Sequence, residues 1–147
     1  MKILILCLLT TIIYCQSNVL HNLVNIDNFA SFNGVLKDSK TITFTITVVN
    51  SLIKSSRVGY LGIGLGSRNM KNVDMMTAEF LDPNNMNLYD VYSTGDYQPP
   101  TDVSLGGTDD FTNKIFSFKD GNYSVTWDRL LQTNDRRDYT FTYVKNY

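Results

Sequence analysis

The sequence predicts an all-β fold, a single antiparallel sandwich or barrel of roughly eight short strands separated by turn chemistry. Three observations predict it. The run Thr41-Ile42-Thr43-Phe44-Thr45-Ile46-Thr47-Val48-Val49 alternates threonine with apolar residues, which is the period of a half-buried strand. Asp120-Gly121 separates Lys114-Ile115-Phe116-Ser117-Phe118 from Tyr123-Ser124-Val125-Thr126-Trp127, the signature of a tight hairpin. No stretch carries a sustained apolar stripe at helical spacing. A chain of 147 residues with 43% hydrophobic and 18% charged content fits one domain. Its 12% aromatics and formal charge of −1 exclude a disordered tail and a polybasic nucleic-acid binder.

Taken in order, the first element is a leader. Met1-Lys2 supplies one positive charge, and Ile3 to Ile13 is an apolar run of 11 residues that gives way to Gln16-Ser17-Asn18. That is the pattern of a secretory signal peptide, shorter than the roughly 20 residues a membrane span requires. Cleavage fits after Cys15, or after Ser17. Residues 24–147 then form the folded domain. Phe29 to Leu36 and Thr41 to Val49 flank the turn-like Lys37-Asp38-Ser39-Lys40 and read as a hairpin. Further strands are expected over Val58 to Leu65, Asp74 to Phe80, Leu88 to Tyr92, Lys114 to Phe118, Tyr123 to Trp127 and Tyr139 to Val144. Asp82-Pro83-Asn84-Asn85, Ser93-Thr94-Gly95-Asp96, Gln98-Pro99-Pro100 and Leu105-Gly106-Gly107 are turns and loops between them.

Both cysteines, Cys7 and Cys15, leave with the leader, so the mature chain of about 130 residues has no disulfide and no thiolate chemistry. Losing Lys2 takes the formal charge from −1 to −2, and nothing in it attracts nucleic acid or anionic lipid. The mature chain has no transmembrane anchor. An extracellular location follows, and Asn122-Tyr123-Ser124 is a glycosylation acceptor there, with Asn122 the attachment point.

The only histidine is His21, close to the new N-terminus, so neither a Ser-His-Asp triad nor a multi-histidine metal site is expected. Gly62-Ile63-Gly64-Leu65-Gly66 lacks the spacing and the following helix of a nucleotide-binding loop. Its alternating glycines leave one strand face bare, either for close packing or for a ligand ring. Asp82, Asn84, Asn85 and Asn87 form an Asx turn rather than a calcium loop. Asp109-Asp110 belongs to a solvated loop, and a hydrolase built on these aspartates is the lowest-ranked reading. No catalytic residue and no metal site is assigned. Met70 follows a loop and stands outside any alternating run, where a thioether can serve a soft metal or a heme iron.

The stretch Gly59-Tyr60-Leu61-Gly62-Ile63-Gly64-Leu65-Gly66, then Met70, then Asp74-Met75-Met76, resembles the DOMON domain's run of strand, loop methionine and aspartate. The resemblance continues through Asp90-Val91-Tyr92-Ser93-Thr94-Gly95, Pro99-Pro100-Thr101-Asp102 and Val125-Thr126-Trp127-Asp128-Arg129-Leu130-Leu131, with Asp135 and Asp138. It implies an immunoglobulin-like β-sandwich, extracellular, in a family whose members bind b-type heme or sugars and act alone or beside redox domains. Met70 matches the axial methionine of heme-binding members. The matching histidine belongs to a late strand, and the sequence stops at Tyr147 without it, so the expected domain is short at its C-terminus and the second axial ligand is missing. Arg129 with Asp128, Asp135 or Asp138 is expected to form a structural ion pair at one end of the sandwich.

The expected function is a secreted, non-catalytic module that takes a small molecule or glycan, with a redox or cell-surface protein as partner. Tyr60, Gly62, Gly64, Met70 and Trp127 are its candidate ligand-binding residues. The alternative is a b-type heme electron carrier with Met70 as one axial ligand.

Overall fold

The alternation along Thr41–Val49 is realised as a strand whose Ile42, Phe44, Ile46 and Val48 are buried while the threonines between them remain partly exposed. That strand is β4 of nine in the computed structural model, which describes residues 4–7, 24–26, 30–49, 59–67, 71–95 and 98–142. The others are β1 (Leu4–Cys7), β2 (Val24–Ile26), β3 (Ala30–Leu36), β5 (Gly59–Gly64), β6 (Val73–Asp82), β7 (Asn85–Ser93), β8 (Thr112–Lys119) and β9 (Asn122–Leu130). They form two sheets, ordered β1-β5-β6-β7 and β2-β3-β4-β9-β8.

Both predicted hairpins form. β3 and β4 pair antiparallel from Ala30↔Val48 to Leu36↔Ile42. β8 and β9 close at Lys119↔Asn122, with Asp120 at φ 52° and Gly121 at φ 74°. Positive φ at both central residues is what a two-residue turn between twisted strands requires, which is why Asp-Gly occupies it. Asn122 begins β9 and is partly exposed. Asn84 donates its backbone N–H to Asp82 Oδ1 at 2.8 Å, the expected Asx turn.

Inner faces of the two sheets supply one core. Leu61, Ile63, Met76, Ala78, Phe80 and Leu88 come from one sheet, and Phe32, Phe44, Ile46, Tyr123, Val125 and Trp127 from the other. Trp127 sits at its centre, 5.5 Å from the Phe44 ring and 5.6 Å from the Phe111 ring. Val73, Met75 and Val91 make a second buried cluster on the opposite face of the first sheet. Among the described residues, no helix is long and apolar enough to cross a membrane.

One pairing departs from the antiparallel rule, and one expected strand needs correction. All pairings among the described strands are antiparallel except β1 with β5, which is parallel from Leu4↔Leu61 to Cys7↔Gly64. β1 therefore lies within the segment read as a leader. The chain crosses to the other sheet and back between these strands, as a parallel pair requires. The strand expected over Tyr139 to Val144 is not formed by residues 139–142. The Tyr139 N–H is bound to Asp74, and the Phe141 N–H to the Leu131 carbonyl. These amides make no ladder, and the two rings pack on the core edge instead.

Candidate functional site

At the end of the sandwich where β6 begins and β7 and β9 finish, the core turns from apolar to charged. Asp74 continues the inward face of Met76, Ala78 and Phe80 on β6, and Asp90 continues that of Leu88 on β7, because side chains two apart share a face. Arg129 extends the face of Tyr123, Val125 and Trp127 on β9, in the opposite sheet. Arg129 Nη2 lies 2.6 Å from Asp74 Oδ2 and 3.1 Å from Asp138 Oδ2, with 1% of the residue exposed. Its Nη1 donates to the Tyr139 carbonyl at 3.3 Å, and the Tyr139 N–H donates to Asp74 Oδ2 at 2.6 Å. The ion pair thus joins the two sheets and pins the segment after β9.

The segment after β7 folds over the same end. Asp102 precedes a short 3-10 helix, Val103–Leu105, and its own N–H donates to the Asp90 carbonyl at 3.1 Å. Asp90 Oδ2 accepts the Asp110 N–H at 2.9 Å. Asp135 Oδ1 accepts the Arg137 N–H at 2.8 Å and its Oδ2 accepts the Thr108 N–H at 3.2 Å, tying together the loops that follow β7 and β9.

Carboxylates outnumber cations here. Burial pushes Asp90 up to about 8, with the Asp110 N–H opposing it. Burial also pushes Asp102 up to about 7, reinforced by the like charges of Asp138 and Asp135. Asp74 rises to about 6 through burial, the Arg129 charge acting against it. The three carboxylates Asp74, Asp90 and Asp138 each offer an oxygen within 4.8 Å of the others, and so do Asp102, Asp135 and Asp138.

Beside the second group opens a cleft of about 340 Å³, lined by Leu105, Gly106, Gly107 and Thr108 on one side and Asn134, Asp135, Arg136 and Arg137 on the other. Five of these eight residues are polar or charged: Thr108, Asn134, Asp135, Arg136 and Arg137. Such a lining can meet several hydroxyl groups of one ligand.

The residues expected to bind ligand do not meet at this cleft. Trp127 is fully buried among Phe32, Phe44 and Phe111, so no face of its indole is free to stack. Gly62 and Gly64 are buried, and the space a Gly62 side chain would take is bounded by Met75, Thr77 and Tyr60. The bare glycine face is therefore packed. Tyr60 is partly exposed on that face, and burial raises its phenol, with the Thr77 hydroxyl opposing. Met70 and His21 lie outside the described residues. Asp109 is held by Lys114 at 2.6 Å and by the Phe111 N–H at 3.2 Å.

Of the expected ion pair, Arg129 and Asp138 come together. Asp135 instead holds the loop amides, and Asp128 faces the other side of β9, where Lys37, Thr43 and Asn113 bind it. Adjacent strand residues point to opposite faces, so Asp128 and Arg129 have different surroundings. Asp74, Asp90 and Asp102 were not among the expected site residues. The signal for the first two was a carboxylate inside an apolar strand run, Val73-Asp74-Met75-Met76 and Leu88-Tyr89-Asp90-Val91.

For heme, a methionine and histidine pair is the usual anchor. The chain's single histidine and Met70 are outside the described residues, and the residues lining the described cleft include neither a methionine nor a histidine.

A comparison with family models matches residues 27–147 to the DOMON domain. No curated protein and no solved structure matches the chain.

Proposed function

The chain belongs to the DOMON domain family, and from that premise we propose that it is a secreted, non-catalytic module that binds a glycan in the cleft between residues 105–108 and 134–137. The observation carrying this reading is the cleft lining, in which Asn134, Asp135, Arg136, Arg137 and the Gly106-Gly107-Thr108 backbone surround about 340 Å³. A polyhydroxylated ring satisfies such groups, whereas an apolar macrocycle leaves them desolvated and unpaired. Non-catalytic binding is supported by the carboxylate inventory. Glycoside hydrolysis employs two carboxyl groups across the bond, and Asp135 is the one acidic residue among those lining the cleft, with both oxygens engaged by loop amides. Secretion is supported by the apolar leader and by a family match that begins at residue 27.

Purified protein applied to a glycan array, with hemin titration in parallel, tests the proposal. Saturable binding to one glycan class, lost in Arg137→Ala and Asn134→Ala, is expected. A Soret band on adding hemin, together with no glycan binding, would establish the heme reading instead.

A further inference from the structure

We propose that Asp102, Asp135 and Asp138 form a binding site for a hard divalent cation of calcium type, buried beside the cleft, whose wall Asp135 alone of the three lines. The three residues each bring a carboxylate oxygen within 4.8 Å of the others. An ion at the centre of a triangle of that size lies within about 2.8 Å of each oxygen, close to the roughly 2.3–2.6 Å of calcium–oxygen bonds.

The independent observation is Asp102. It is 0% exposed, and neither of its carboxylate oxygens has a hydrogen-bond donor among the described residues, the polar group against it being another carboxyl, that of Asp138. A buried carboxylate without a donor is costly, and proteins normally supply a partner. Asp138 is only partly served: its Oδ1 is buried without a hydrogen-bond donor, and its Oδ2 meets Arg129 Nη2 at 3.1 Å, a group it shares with Asp74. Thr133 Oγ1, on the same loop, is also buried without a partner among the described residues.

Charge points the same way. Asp74 and Asp90 stand behind the site and Asp110 beside it, while Arg129 is the cation paired into the cluster. Arg129 is the one described cation paired with these five clustered aspartates, Asp74, Asp90, Asp102, Asp135 and Asp138, and carboxylates still outnumber cations when Arg136 and Arg137 of the adjoining cleft are counted. A divalent ion restores much of the deficit. All donors are oxygens, which disfavours zinc and copper. Carboxylates on irregular loops suit calcium's flexible coordination better than magnesium's strict octahedron. Asp135 can serve while retaining its two loop amides, since each carboxylate oxygen has two lone pairs.

Gly107 fits this arrangement. A side chain there would collide with Asp135 Oδ2 and would lie 3.2 Å from the Asp102 carbonyl oxygen, so its absence lets the loop close on the cluster. The site stands apart from the glycan reading, because calcium alone is the probe.

Full-length protein stripped with EDTA and titrated calorimetrically with calcium chloride should show one saturable site, with magnesium chloride much weaker. Its thermal midpoint should rise with calcium concentration. Asp102→Asn should lose both responses while remaining folded by circular dichroism, and Asp82→Asn, in a surface turn, should keep them. If folded, EDTA-treated wild-type protein shows neither saturable heat nor a calcium-dependent midpoint, the cluster holds protons rather than metal and the proposal fails. An Asp102→Asn protein that binds calcium like wild type also overturns it. Calcium binding without glycan binding would leave this site standing and remove the glycan reading.

Discussion

Arg129 brings a permanent charge into a layer otherwise built from rings and aliphatic chains. It is tolerated there because Asp74 and Asp138 lie on its Nη2 and the Tyr139 carbonyl on its Nη1. Removing one partner of a buried ion pair leaves the other charge desolvated and uncompensated, at a cost of about 3–5 kcal/mol. Arg129→Met, which keeps much of the volume, should therefore lower unfolding free energy at neutral pH by about 3–5 kcal/mol, read from urea titrations followed by circular dichroism. A loss under about 1 kcal/mol would show that the carboxylates find other compensation. The pair was partly legible in sequence. Arg129 and Asp138 are readable there, but Asp74 lies 55 positions away from Arg129 and becomes a partner only when the two sheets face each other. Its readable trace is a charged residue in an apolar strand, which marks a constrained position without saying what it meets.

On the outward face of the second sheet, three elements converge on Asp128 of β9. Lys37 Nζ from the β3–β4 turn lies 2.5 Å from Oδ2, Thr43 of β4 donates to Oδ1 at 2.5 Å, and Asn113 of β8 donates to Oδ2 at 2.8 Å. Asn113 reaches it from a register shift in β8 at positive φ. Burial alone would raise the Asp128 carboxyl, but these donors outweigh it and hold the group below its usual range. A lowered folded-state value means stability that is present above the unfolded value, near pH 4, and is lost as pH falls through the folded value. Asp128→Asn should therefore cost about 1 kcal/mol at pH 7, a modest figure because Lys37 is 51% exposed. The difference from wild type should shrink toward zero below about pH 4, seen as converging melting curves. Hairpins such as this one were legible because alternation and Asp-Gly chemistry are local. The segment after β9 was not: Tyr139 and Phe141 alternate like strand residues, yet their amides are taken by Asp74 and Leu131.

How strands order into sheets is settled by the whole molecule. Local pattern gave the pairs β3·β4 and β8·β9, whereas β4·β9 joins residues about 80 positions apart through nine matched partners from Thr41↔Leu130 to Val49↔Asn122. No local periodicity encodes that choice, because it depends on which apolar faces can close one core. β1 poses the same question at the sheet's edge. Its only described pairing is with β5, and β5 already has β6 along its other edge. β5 keeps Leu61 and Ile63 in the shared core through the opposite sheet, independently of β1. A chain beginning at Gln16, as the proposed leader cleavage would leave it, should therefore unfold at the same denaturant midpoint as the full chain. Its midpoint should also ignore reductant, since Cys7 and Cys15 are the chain's two cysteines and both precede Gln16. N-terminal sequencing of protein exported from a eukaryotic host should begin at Gln16 or Asn18. Recovery of protein starting at Met1, with a truncated chain that melts earlier, would make β1 a working strand of the sheet and remove the leader reading.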